Sequence, residues 1–568
     1  MSQLSYLVTS TTDNNHRGSL RSAIHYANAH SGTKITFASK LAHHTITLAS
    51  DLPLLDSNVT IDGGADHITI SGAGQHRIFF ADSGHITIRN LKLANGFAQG
   101  GHGGVGGDGI SGGGGMGAGG ALFVRGSLNG HTPASVTLVN VAFGNDAAHG
   151  GAGGLDPDVN ISVNSGGGGG GMGGNGGSNP GGGGGGAFPG EDGGNGPGGK
   201  GGGPSGGVGG TSAFAGGNFS GGGGGSGIPA SGGSGGFGGG GGGSSNLAGG
   251  SGGFGGGGGG AQSAAGGSGG FGGGGGGGGS SGPGGFGGGD GGRSTADGGG
   301  GGAGMGGAVF VMQGARLTIA GASKLAGSSV QGGSAGAGGT DGQAFGGGMF
   351  LQGSGTVRFN PGLGQTEHVF NAIDDEAGVV SNGYTPPSGF TSGSYTLVKS
   401  GLGTLVLSAH NAYSGGTILK GGTLDVAAPF APILSSAASG ITFAGNATLK
   451  IDGGAITEFL GAFFFDRSIN SFGQHDVIDL TGLHFHHGAA ATYDAAADVL
   501  RVHSGGLTNG LVMRSPHGTH FAVANDGHGG TEVTLAPVHH TVAVAALSGH
   551  EPSAHWAGDH LVDYLIAA

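Results

Sequence analysis

Four groups of residues have types and spacings that chemistry could use. The run Gly103-Gly104-Val105-Gly106-Gly107-Asp108-Gly109-Ile110-Ser111 fits the calcium nonapeptide, in which turn carbonyls and an aspartate act as hard oxygen ligands. Calcium rolls need tandem copies, and this run occurs once in a chain with 157 glycines among 568 residues, so the match is close to chance. Calcium at Asp108 is the one cofactor expectation the chain offers. The histidines His43-His44, His484, His486-His487 and His539-His540 could bind a metal, but none has the i, i+4 spacing of a helical zinc site, and they read equally as polar turn residues. Asp62, Asp66, Arg89 and Lys92 could serve a polysaccharide lyase or hydrolase, which needs clustered carboxylates with a basic group or Ca²⁺. No repeated acidic cluster accompanies them, Asp62 equally suits a turn, and Asp374-Asp375-Glu376 falls outside the clearest strands. The glycines before Lys200 are not followed by Ser or Thr, so they make no phosphate-binding loop. The expectation is a protein with no catalytic residue and no metal centre.

A fifth group is aromatic. Phe237, Phe254 and Phe271 are spaced 17 residues apart, Phe286 follows 15 later, and Phe219 precedes them. Between them other residues recur at every third position, separated by Gly-Gly: Ser231, Ser234 and Phe237; Ala248, Ser251 and Phe254; Ala265, Ser268 and Phe271. A polyproline II helix has three residues per turn, so this spacing puts all side chains on one edge. Its two bare edges allow neighbouring strands to approach and pair their N–H and C=O groups. Residues 156–300 are therefore expected to form a bundle of polyproline-II-like strands with a phenylalanine row, the alternative being a Gly/Ser tether. Phe219, Phe237, Phe254, Phe271 and Phe286 are the expected association surface.

The elements flanking this insertion are short strands. Ile35-Thr36-Phe37, Ile46-Thr47-Leu48, Val59-Thr60-Ile61, Ile68-Thr69-Ile70, Ile78-Phe79-Phe80 and Ile86-Thr87-Ile88 each end at turn residues. One helix is expected, over Leu20 to Ala29, with Leu20, Ala23, Ile24 and Ala27 on one face, suited to capping a solenoid. Two units then repeat. Ile86-Thr87-Ile88-Arg89-Asn90-Leu91-Lys92-Leu93 returns as Val136-Thr137-Leu138-Val139-Asn140-Val141-Ala142-Phe143. Gly120-Ala121-Leu122-Phe123-Val124 returns as Gly307-Ala308-Val309-Phe310-Val311 and as Gly348-Met349-Phe350-Leu351. Recurring short strands with turns of unequal length predict an all-β, right-handed parallel β-helix. The expected organisation is a cap and coils over 1–155, the insertion over 156–300, further coils over 301–460, and a β-rich region over 461–568.

The residues 18–24, the Asn58 to Gly63 run and the Ile86 to Asn95 run resemble bacterial β-helix proteins of the polymorphic-outer-membrane and autotransporter-passenger type. Thr396 to Leu405, Tyr413-Ser414-Gly415-Gly416-Thr417 and Gly421-Gly422-Thr423-Leu424 resemble the passenger-associated repeat of autotransporters. Phe521 with Asn525 to Thr531 resembles a closing strand unit of large exported repeat proteins. The resemblance implies a secreted or surface protein, with architecture rather than membrane insertion carried over, because alternating ten-residue barrel strands are not evident.

Composition sets the remaining bounds. Only 9% of residues are charged, which argues against ordinary disorder. A formal net charge of −13 argues against a nucleic-acid partner. Protonating all 26 histidines would reverse that charge in acid. Cysteine is absent, so neither disulfides nor thiolate sites operate. No apolar run reaches the roughly 18 residues of a membrane helix, and residues 1–15 have no signal-peptide pattern. The ending Asp563-Tyr564-Leu565-Ile566-Ala567-Ala568 looks like a type I export signal. Expected partners are a second copy of the chain or a cell-surface polysaccharide. A binding module for polysaccharide or ice is the alternative function, resting on the Gly-Gly-x spacing of glycine-rich antifreeze proteins.

Overall fold

The computed structural model describes residues 4–106, 110–155, 166–178, 181–196, 198–209, 213–225, 230–293, 298–430, 440–459 and 462–537. The chain first forms the expected helix, Leu20–Ala29, whose N-cap Ser19 accepts the Ser22 N–H through its side chain. Its buried face is Leu20, Ala23, Ile24 and Ala27, laid against the first strands, Ser5–Val8 and Thr33–Phe37. The helix thus covers one end of the core that follows.

That core is a parallel β-helix. Val59, Ile86, Val136, Leu317, Val357 and Leu397 are in register from coil to coil and stack inward. Two residues on, Ile61, Ile88, Leu138, Ile319 and Phe359 form a second inward stack, which ends on Lys399. The apolar members of both stacks are at most 3% exposed, and burying each contributes about 2 kcal/mol. The repeat Ile-Arg-Asn-Leu and Leu-Val-Asn-Val is explained at the bend between two sheet faces. Asn90 and Asn140 there take left-handed φ values of 56° and 54°, which asparagine tolerates. The Asn140 amide donates to Asn90 Oδ1 at 3.0 Å and the Asn90 amide to Asp62 Oδ1 at 3.0 Å, so the bends of successive coils are tied together.

The Gly-Ala-Leu-Phe-Val family builds a second face. Phe79–Ala81, Leu122–Val124, Val309–Val311, Met349–Leu351 and Ile373–Asp375 pair in parallel, placing Phe80, Phe123, Phe310 and Phe350 in one register row. A third face pairs Phe97–Gln99, Ala147–His149 and Ser329–Gln331, and a short fourth pairs Gly117–Ala118, Gly304–Met305 and Ala344–Phe345. Between these last two faces the chain leaves the β-helix on three consecutive coils, over 100–116, 150–303 and 332–343. All three excursions enter one glycine-rich body, so this body is wider than 156–300. The physical reason is position: excursions from the same corner of stacked coils lie side by side.

After the bundle the coils continue through Tyr395–Lys399, Thr404–Leu407, Thr417–Leu419, Gly422–Val426 and Ala447–Ile451. The last coils pass into antiparallel strands, Ala490–Asp494, Val499–Ser504 and Leu507–Arg514. Phe521–Asn525 and Thr531–Leu535 form a closing hairpin, whose turn is held by Asp526 accepting the N–H groups of His528 at 2.7 Å and Gly530 at 2.8 Å. Among the described residues no helix is long and apolar enough to cross a membrane.

Candidate interaction surface: a layered glycine bundle

Among the described residues of the glycine-rich body there is no helix, and successive residues of one segment donate to different neighbours. Gly113 donates to Gly258 O at 2.8 Å, Gly114 to Gly300 O at 2.9 Å and Gly115 to Gly101 O at 2.8 Å. Successive N–H groups of one segment therefore point to different neighbours around it. Tracing these bonds resolves four layers. The outermost holds 231–236, 248–253, 265–270 and 282–285. Beneath it lie 221–225, 239–243, 256–260 and 273–277, then 182–186, 166–171, 112–115 and 298–302. The fourth layer holds 174–178, 100–106, 150–154 and 332–336, beside the β-helix corner.

This layering accounts for the two kinds of glycine tract. The two inner layers are continuous glycine, and the outer layers carry a side chain at every third position. An added Cβ at Gly240 would lie 2.0 Å from Gly169 O, and one at Gly169 would lie 2.1 Å from Gly257 O. Only glycine permits this approach, in the way the collagen axis does.

The phenylalanines mark where a rod of the outer layer turns into the layer beneath. Phe237 and Phe254 stack at 5.3 Å, Phe254 and Phe271 at 5.2 Å, Phe271 and Phe286 at 5.4 Å, all within 6° of parallel. Phe219 meets Phe237 edge-on at 5.5 Å. The whole row packs against the β-helix row: Phe123 touches Phe237, Phe310 touches Phe254 and Phe271, and Phe350 touches Phe271 and Phe286. Arg125 lies over Phe219 and Phe237 at 4.7 and 4.1 Å, and pairs with Asp82 at 2.7 Å. Phe237 and Phe286 are buried and face the β-helix, so those two residues present nothing to a partner; Phe219, Phe254 and Phe271 are half-buried. The row fastens bundle to β-helix because two aromatic ladders of similar spacing share one interface. Phe254→Ala is expected to cost about 2 kcal/mol, less than a fully buried Phe. Hydrogen exchange checks it: amides of 231–290 lose protection while those of 86–94 and 135–144 keep theirs.

The two outer faces of the bundle differ. On the fourth layer, side chains cap neighbouring rods: Asn175 accepts the His102 N–H at 2.9 Å, Asp192 the Asn175 N–H at 2.7 Å and Asn195 the Ser178 N–H at 2.7 Å. On the first layer the rods are parallel and in step, Gly232 donating to Ala248 O, Gly249 to Ala265 O and Gly266 to Ser280 O. Ser231, Ser234, Ala248, Ser251, Ala265 and Pro283 are exposed there, Ser268 is half-buried, and the Ser268 and Ser251 hydroxyls meet at 3.1 Å. The result is a regular grid of short side chains.

The other sequence candidates disperse. Asp62 pairs with Arg89 at 2.7 Å and Lys34 at 3.0 Å; burial opposes its ionisation, but the hydrogen bonds from Arg89, the Gly64 N–H, Lys34 and Asn90 hold its carboxyl well below the usual range. Asp66 is half-buried in a neighbouring turn, and Lys92 lies on another face of the coil, along a groove with His67, Thr69 and Asn140. Burial raises Asp374 and Asp375 to about 6, and Asp375 accepts the N–H groups of Gly378, Tyr395 and Ser414, so it organises the coil after the bundle. Glu376 likewise accepts from Gly353 and Gly393. His43 stacks on His67 at 5.3 Å; among the described residues no three His, Cys, Asp or Glu side chains converge as a metal requires. Asp108, His539-His540 and residues 563–568 lie outside the described residues.

Residues 397–426 match the passenger-associated transport repeat. In the structure they span the strands Tyr395–Lys399, Thr404–Leu407, Thr417–Leu419 and Gly422–Val426, which pair beyond Gly355–Asn360 and Thr366–Val369. Comparison with curated proteins gives no match.

Proposed function

We propose that this chain is a non-catalytic, exported surface or matrix protein of the autotransporter-passenger kind, with the β-helix as shaft and the glycine bundle as its contact element. The observation that carries the reading is the outer grid, Ser231 to Pro283, short side chains repeated rod by rod on an interior that only glycine can build. The match over 397–426 supports export to the surface. The threefold donor pattern supports polyproline-II-like rods. A flat face with little charge suits close packing against a second copy or a cell surface. Electron microscopy of the purified chain tests this directly: filaments or sheets are expected, and their loss in Ser251→Lys/Ser268→Lys. Lone rods for parent and variant alike would end the self-assembly reading. Association is expected to be strongest near the isoelectric point of about 6.0, where net repulsion vanishes; turbidity flat from acid to alkaline pH would exclude it.

A second reading is favoured by the inward turn of the phenylalanine row, which leaves a regular hydroxyl and methyl grid instead of an aromatic face. Such a grid suits an ordered surface, a polysaccharide or ice. Co-sedimentation with insoluble glycan and ice-recrystallisation assays on the same lysine variant separate it from self-assembly.

A further inference from the structure

We propose that the outer face of the coil on either side of Arg316 and Arg358 binds an anionic glycan, a hydroxyl-rich polymer bearing carboxylate groups. The site lies on the β-helix, away from the glycine grid, and stands independently of the function proposed above.

The two arginines belong to neighbouring strands, Arg316–Ala320 and Gly355–Asn360. Inward positions there are Leu317, Ile319, Val357 and Phe359, so period-two alternation sends Arg316, Thr318, Thr356 and Arg358 outward. The register sets Thr318 opposite Arg358, so Arg316 is the diagonal neighbour of Arg358 at about 7 Å. Both are exposed, and among the described residues neither has a carboxylate within ion-pair distance. On earlier coils of the same face the cations are neutralised, Lys34 and Arg89 by Asp62. Two adjacent cations without an acid repel each other, and they do so in a chain whose net charge is −13. A local excess of the minority charge is a docking feature by charge complementarity.

The surroundings narrow the ligand. The arginines line a groove of about 540 Å³ together with Ser135, Thr318, Ser354 and Thr356. Guanidinium forks take carboxylates in a bidentate manner, and the four hydroxyls can donate to and accept from sugar hydroxyls. The groove lining contains no aromatic ring, so bases would have no stacking platform. Nucleic acid carries a charge about every 1.7 Å and would meet the net negative field of the protein, whereas a uronate polymer carries one charge per sugar.

Titration calorimetry of the full chain with polygalacturonate tests the proposal, with fully methyl-esterified polygalacturonate as the neutral twin and duplex DNA as the dense polyanion. Binding to the acid form is expected, weakening from low to physiological ionic strength of about 0.15 M. Arg316→Gln/Arg358→Gln should lose about tenfold or more in affinity, one charge-assisted bond being worth that factor. Arg358→Lys should lose less, keeping charge but not the fork. Circular dichroism melts of the exposed-site variants should match the parent. No binding by the parent, equal binding of the esterified polymer, an unaffected double variant, or tighter binding of DNA would each overturn the assignment.

Discussion

Gly257→Ala is expected to lower stability by about 3–4 kcal/mol, toward or beyond the upper end of overpacking costs. Gly257 sits in the second layer, where an added Cβ would lie 2.1 Å from Gly113 O and 2.5 Å from the Gly113 carbonyl carbon. The clashing atoms are backbone, so no rotamer change relieves them. The displaced rod is tied on several sides: Gly257 donates to Gly170 O, Gly258 to Gly274 O and Gly113 to Gly258 O. Moving it to admit a methyl group leaves buried N–H groups unpaired, at about 1–3 kcal/mol each. Ser251→Ala, on the exposed layer of the same body, should stay within about 0.5 kcal/mol of the parent. Denaturant unfolding of the two variants provides the comparison. Equal stabilities would mean that the inner rods are not closely packed in solution.

Glu367→Gln is expected to make stability less dependent on pH. Glu367 is 1% exposed and points into the β-helix, in register with the buried stack Leu405, Leu424 and Leu449. Neither carboxyl oxygen has a hydrogen-bond partner. Burial pushes its pKa up from 4.5 to about 9, with Lys399 pulling the other way. Lys399, itself fully buried, gives its ammonium to the carbonyls of Ser400, Gly401 and Gly421 at 2.9 to 3.0 Å instead. A raised carboxyl pKa means that the native state holds the proton more tightly than the unfolded chain. Its contribution is therefore complete below pH 4.5 and is lost as pH rises toward about 9. At about 1.4 kcal/mol per pH unit, the parent should lose about 4 kcal/mol relative to the variant over the three units between pH 5 and 8. Urea titrations at those two pH values measure the difference. Parallel behaviour of parent and variant would show that Glu367 is ionised or hydrated in the folded protein.

The β-helix was readable because its signals are local. Apolar runs of three, the helix face Leu20, Ala23, Ile24 and Ala27, and the recurring Phe-Val and Asn-centred units state directly which residues point inward. The third-position spacing likewise fixes which residues along a segment carry side chains, and the exposed Ser231, Ser234, Ala248 and Ser251 follow it. What the spacing does not carry is who lies beside whom. The assembly of 100–116 and 332–343 into the bundle follows from coil register, which aligns three corners far apart in sequence. The phenylalanine row shows the consequence. Its spacing of 17 predicted a row of phenylalanines; that neighbouring rings of the row stack on one another is shown by the structure. That Phe237 and Phe286 face Phe123 and Phe350 depends on a second ladder more than a hundred residues away from Phe237 on one side and 64 from Phe286 on the other. Glu367 and the Arg316–Arg358 pair were invisible for a related reason. A lone charged residue in an alternating strand reads alike whether its neighbour across the ladder is an acid, a base or nothing. Periodicity along one chain sets the direction of a side chain; only the packing of distant segments sets its company, and the company determines burial, charge balance and function.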